Sequence, residues 1–158
     1  MATPHSRARL LRSPLFSLAL LASPAFADCR EDAELAVAFM NQYLVLIVET
    51  PERDVTQWLR EQPLASAELA EAYAAEQARG RAIDAEMGWG VDLLLDAQDS
   101  PDQGFTLAQC GPAPDHVQLR GIDWAEFRVT LRLAETPQGR RVAGAGRINI
   151  GEAERAPR

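Results

Sequence analysis

Lysine is absent from the whole chain; all 16 basic side chains among its 158 residues are arginine. That removes the amine nucleophile and with it Schiff-base chemistry. Set beside abundant alanine, it reads as coding bias of a GC-rich bacterial genome. Histidine is nearly absent too. His5 lies in an N-terminal segment expected to be removed, which leaves His116 as the single imidazole. Beyond residue 27 the serines are Ser66 and Ser100. Neither has a G-x-S-x-G context, so a Ser-His-Asp triad has no support. With the two cysteines paired, a single histidine falls short of a zinc set. No apolar run is long enough to cross a bilayer. Carboxylates are plentiful, with Asp92, Asp96, Asp99 and Asp102 close together. An EF-hand is excluded because Pro101 stands at the sixth position from Asp96, where the calcium loop requires glycine. The cluster reads as a solvated acidic turn. No metal or other cofactor is expected, and the inventory leans away from an enzyme. His116, beside Pro114 and Asp115, reads as a surface or edge residue.

What is present begins with a secretory signal peptide over residues 1–27. Arg7, Arg9 and Arg12 form a basic start, Leu15 to Ala22 a short apolar stretch, and Ser23 to Ala27 ends in Ala-Phe-Ala. Signal peptidase cuts after such a small-x-small ending. Cleavage after Ala27 predicts a periplasmic or secreted protein with no membrane anchor. Three of the 16 arginines precede the cut and all 23 acidic residues follow it, so the mature chain carries a net charge of −10. A domain this acidic repels phosphate backbones, which argues against nucleic acid and is compatible with a basic protein partner. Cys29 and Cys110 are the only cysteines. In an oxidising compartment they are expected to pair, and two unpaired thiols are the competing reading. Asp28 before Cys29 argues against lipidation.

The pattern along the chain gives helices first and strands later. Leu35, Phe39, Met40, Tyr43, Leu44 and Ile47 recur at helical spacing between Glu31 and Glu49. Thr50-Pro51 is expected to cap a short second helix through Val55, Trp58 and Leu59. Ser66 is expected to cap a third, through Leu69, Ala70, Tyr73 and Ala74, that weakens near Gly80 and ends by Gly88-Trp89-Gly90. Strands are expected over Phe105 to Cys110, Val117 to Ile122, Phe127 to Ala134 and Arg141 to Ile150, with a turn at Thr136-Pro137-Gln138-Gly139. Helices followed by an antiparallel meander predict an α+β fold, helices packed on one face of a curved sheet of about four strands. The domain is expected to span residues 28–151, with 152–158 a disordered polar tail.

One stretch, Trp89 to Leu107 (WGVDLLLDAQDSPDQGFTL), together with Phe39-Met40-Asn41-Gln42-Tyr43-Leu44, resembles the DUF3828 family of small secreted bacterial proteins. The resemblance covers Leu35 to Ile150. It implies a cystatin-like or NTF2-like fold and carries over no catalytic residue. Asp96, Gln98 and Asp99 match its motif, and a structural role for them is expected. The closing strand, Gly144 to Ile150, departs from the aromatic and basic ending common in that family. The candidate binding or structural residues are therefore Trp89, Asp92, Asp96, Gln98, Asp99 and Trp124. The expected function is an exported periplasmic binding module without catalysis, one version being an immunity or inhibitor protein that acts on a toxin or cell-wall enzyme. The alternative is an NTF2-like small-molecule-binding domain with aspartate acid/base chemistry.

Overall fold

The computed structural model describes the backbone of residues 25–157 and the side chains of residues 30–157. Most of the expected signal peptide, the Cys29 side chain and Arg158 lie outside the described residues. Three helices precede the strands: α1 (Ala25–Glu49), α2 (Val55–Glu61) and α3 (Ala67–Ile83). Then come β1 (Phe105–Cys110), β2 (His116–Gly121), β3 (Arg128–Thr136) and β4 (Gly139–Ala145), and a 3-10 turn over Glu152–Glu154. The strands form one antiparallel sheet in chain order. The fold is α+β, as the segregation of elements predicts.

Helix α1 lies across the sheet and touches all four strands. Ala36, Phe39, Met40, Tyr43 and Leu46 are buried along it. Leu35 and Ile47, expected in the buried stripe, are only partly covered. The helix also starts earlier than its apolar pattern, at Ala25. Opposite it, Val117 and Leu119 of β2 face Leu131 and Val129 of β3 in register, and all four are buried. Strict alternation puts these side chains on one sheet face, and α1 packs against the sheet.

Both sheet edges are managed. Residues 64–66 run beside β4, with the Val142 N–H donating to Leu64 O at 2.8 Å and the Ser66 N–H to Val142 O at 2.9 Å. On the far edge the Asn41 amide stands in for a neighbouring strand. The Phe105 N–H donates to its Oδ1 at 2.7 Å, and its Nδ2 donates to Phe105 O at 3.4 Å. Covering an edge in this way removes a template for further strand pairing.

Several boundaries differ from the sequence pattern. The cap of α2 is Asp54, whose carboxylate accepts from the Gln57 N–H, rather than Thr50. A carboxylate three residues before an unpaired helix N–H satisfies it directly, while Thr50 closes α1 by donating to Leu46 O. Ser66 does cap α3, accepting from the Leu69 N–H at 3.1 Å. The last strand stops at Ala145 instead of reaching Ile150. Gly146, at φ 57°, turns the chain where any Cβ would lie 2.4 Å from Leu94 O. Ile148 and Ile150 are buried as the chain doubles back past Gly144. Residues 152–154, expected to be disordered, form the 3-10 turn and pack against His116.

Candidate functional site

Between α3 and β1 the chain runs through residues 84–104 without a regular element. Loops of this length are ordered only where their own side chains pack them. Here Leu93, Leu94 and Leu95 are all buried and form the core of the loop.

Four candidate residues hold that loop. Trp89 lies against Gly80 of α3, and its indole N–H donates to Glu76 O at 2.9 Å. The Arg147 guanidinium sits 5.0 Å over its ring, in the range of a cation–π contact. Asp92 is tied to α1 by the Tyr43 hydroxyl, which donates to its Oδ2 at 2.5 Å. Its Oδ1 accepts from the N–H groups of Leu94 and Leu95 at 2.9 and 2.8 Å. Burial pushes the Asp92 carboxyl above the ordinary carboxylate range, against the pull of these three donors. Burial likewise raises the Tyr43 hydroxyl, helped by the Asp92 charge, so the phenol remains a donor. Asp96 adopts φ 54° and stands 3.5 Å from the Arg147 guanidinium. Gln98 closes the loop internally, its Nε2 donating to Gly90 O at 3.1 Å. The Arg147 N–H bonds Leu93 O at 2.9 Å, which ties this loop to the turn after β4.

The remaining candidates, Asp99 and Trp124, meet elsewhere. They line an open groove of about 500 Å³ between the loop and the turn entering β3. Its apolar wall comes from Val91, Leu95, Ala97 and Phe127. Trp124 is 41% exposed and stacks edge-on against Phe127 with ring centroids 5.2 Å apart. The turn that carries it is fixed by Asp123, whose carboxylate accepts from the Asp102 and Gln103 N–H groups. Those donors hold the Asp123 carboxyl below the usual range, the Gln103 bond most strongly. Gln98 also reaches the groove; Trp89 and Asp92 do not. They border a smaller pocket of about 200 Å³ beside Tyr73.

Glu126, Arg128 and Pro157 line the groove as well, and sequence reasoning missed all three. Glu126 and Arg128 belong to an unremarkable charged stretch, and Pro157 sits in the tail expected to be disordered. The other correction concerns His116. It is 5% exposed, not a surface residue, and Glu154 of the C-terminal segment stands 3.7 Å from its Nε2. Cys110 is disulfide-bonded, and the only other cysteine of the chain is Cys29. Among the described residues no group of three His, Cys, Asp or Glu side chains is placed to hold a metal ion. No described helix is long and apolar enough to cross a membrane. Compared with family models, curated proteins and solved structures, the chain matches none.

Proposed function

We propose that this chain is an exported periplasmic binding module that acts by contact, with the Trp124 groove as its contact surface. A basic protein partner suits it, and an immunity or inhibitor protein blocking a toxin or cell-wall enzyme is its specific version. The observation that carries the reading is the groove itself. A half-exposed tryptophan stands over an apolar wall with the Asp99 and Glu126 carboxylates at hand. Exposed tryptophans of this kind are enriched among the anchors of protein interfaces. The charge of the mature chain, −10 from 13 arginines and 23 acidic residues, favours encounter with a cationic surface. The likeness to the DUF3828 family is part of the same proposal and adds no catalytic residue to it.

The small-molecule alternative has one observation in its favour, the raised carboxyl of Asp92 beside the pocket at Tyr73. It draws less support than the contact reading. Both Asp92 oxygens are committed to Tyr43, Leu94 and Leu95, and the side chains between α1 and the sheet are packed into one buried core. The test is capture from periplasmic extract on immobilised protein, wild type beside Trp124→Ala. A stoichiometric basic partner should be retained by the wild type and reduced at least about tenfold on the variant, a loss typical of an interface anchor. Recovery of no partner, together with substrate turnover abolished by Asp92→Asn, would replace contact with catalysis.

A further inference from the structure

The outer face of the sheet carries His116 and Gln118 on β2 and Thr130 on β3, and all three are buried. This is a polar seam. Gln118 Nε2 donates to Thr130 Oγ1 at 3.3 Å, and Gln109 Nε2 donates to Gln118 Oε1 at 2.9 Å. The C-terminal segment lies over part of it, and Glu154 reaches His116.

His116 is the anomaly in that seam. Its Nδ1 is 2.8 Å from Asp115 Oδ1. Burial pushes Asp115 up, but the His116 hydrogen bond and the Arg132 charge outweigh it and hold this carboxyl below the ordinary range. An ionised carboxylate accepts only, so Nδ1 carries the hydrogen in either charge state of the ring. The opposite nitrogen, Nε2, is buried and is the one such side-chain atom without a hydrogen-bond partner among the described residues. It faces Glu154 Oε2 at 3.7 Å, too far for a hydrogen bond. With the ring neutral, a lone pair faces a carboxylate. With the ring protonated, an N–H faces it and a short approach completes a charge-assisted bond. A cation on the neighbouring strand is held by a carboxylate of its own. Arg132, opposite His116 in the β2–β3 register, is held by Glu68 of α3 at 2.7 Å.

We propose that residues 150–157 form a pH-dependent strap, latched by His116 through Glu154, that sets the shape of the Trp124 groove. The strap reaches the groove through Pro157, which forms part of its wall. Near the latch its other described hydrogen bonds lie within the segment itself, among them the Glu154 N–H to Gly151 O at 2.8 Å. The Gly151 N–H bonds Glu154 Oε2 at 3.2 Å within the turn, and Arg155 Nε reaches Ile150 O at 3.4 Å. Imidazole is the side chain that ordinarily changes charge between about pH 5 and 8. The sign follows from the geometry. Acid supplies the Nε2 hydrogen and closes the strap; rising pH removes it and frees the strap. The inference rests on reading the groove as the contact surface, since that gives the latch something to regulate.

The test is amide hydrogen exchange of the full chain at about pH 5.5 and about pH 8, corrected for intrinsic rates, for wild type, Glu154→Gln and His116→Gln. Wild-type amides of residues 151–156 should be about tenfold better protected at the lower pH, the weight of one charge-assisted hydrogen bond. Both variants should lose that difference, while α1 keeps its protection and so reports an intact fold. If His116→Gln fails to fold, Glu154→Gln alone decides. In protein labelled with 5-fluorotryptophan, the Trp124 fluorine signal, assigned through Trp124→Phe, should move with pH in wild type and stand still in Glu154→Gln. Strap protection independent of pH, or dependent on it after Glu154→Gln, overturns the latch. A Trp124 signal that ignores the strap overturns its link to the groove. No partner protein enters these measurements, so their failure is separate from a failure of partner capture.

Discussion

Asp92 shows how one side chain holds several elements at once. It binds the Tyr43 hydroxyl of α1 and the N–H groups of Leu94 and Leu95 in its own loop. Asp92→Ala strands three buried donors, and the expected cost is about 2–4 kcal/mol, read as a lower urea midpoint at unchanged slope. Asp92→Asn keeps an acceptor for the two backbone N–H groups and should lose less. Its pH dependence has a definite sign. Because the folded carboxyl is raised above its ordinary value, the unfolded chain gives up this proton first as pH rises. Stability from this group is therefore present below the unfolded value and falls as pH climbs through the window above it. Wild type should lose stability relative to Asp92→Asn as pH rises above the ordinary aspartate range, measured by parallel urea titrations. A difference that stays flat with pH would refute the assignment. The sequence drew attention to Asp92 through its place in an acidic cluster. Its buried role was not legible there, because the tyrosine that binds it lies 49 positions away.

At the scale of elements, α3 and the loop after it turn on Gly80. In an exposed helix, Gly→Ala stabilises by about 1 kcal/mol. Here a Cβ at position 80 would lie 2.6 Å from Trp89 Cδ1 and 2.8 Å from its Nε1. Overpacking of that kind costs about 1–3 kcal/mol, so the clash outweighs the propensity gain. Gly80→Ala should lower the melting temperature and expose Trp89 to a soluble fluorescence quencher; a rise in melting temperature would show that the indole has room to move. Helix periodicity was enough to place α1 and α3, because an apolar face repeats locally. It could not tell whether Gly80 ends α3 or serves a packing role, since the group that needs the space arrives from outside the helix.

Across the whole molecule, distant ties join the helical half to the sheet. Arg140 of β4 grips Asp32 of α1 through Nε at 2.7 Å and Nη2 at 2.6 Å. The Asp32 side chain is only 5% exposed and that of Arg140 31%, so removing the cation leaves a buried carboxylate. Arg140→Ala should cost about 2–3 kcal/mol, below the full penalty for a buried pair because the guanidinium is partly in water. Calorimetry of the variant beside the Asp32→Asn, Arg140→Ala double variant checks it, since the double variant should recover part of the loss. Cys110 of β1 is disulfide-bonded. Non-reducing peptide mapping should recover its partner as Cys29. Cys29→Ser together with Cys110→Ser should then cost about 4 kcal/mol in the chain-entropy account of a loop this long; a map that shows Cys110 joined to a different thiol source would remove that prediction.

Sequence alone determined the fold class, the order of helices and strands, the Ser66 cap and the turn at Thr136 to Gly139. Each of these follows from local periodicity or turn chemistry, in which the deciding residues are neighbours along the chain. Only the tertiary structure decided that Trp89, Asp92 and Asp96 brace a loop while Asp99 and Trp124 share an open groove. It alone put His116 under the C-terminal segment, against Glu154. Those outcomes depend on which side chains meet across many tens of residues, and burial turns an ordinary aspartate or histidine into a constrained one only after that meeting has taken place.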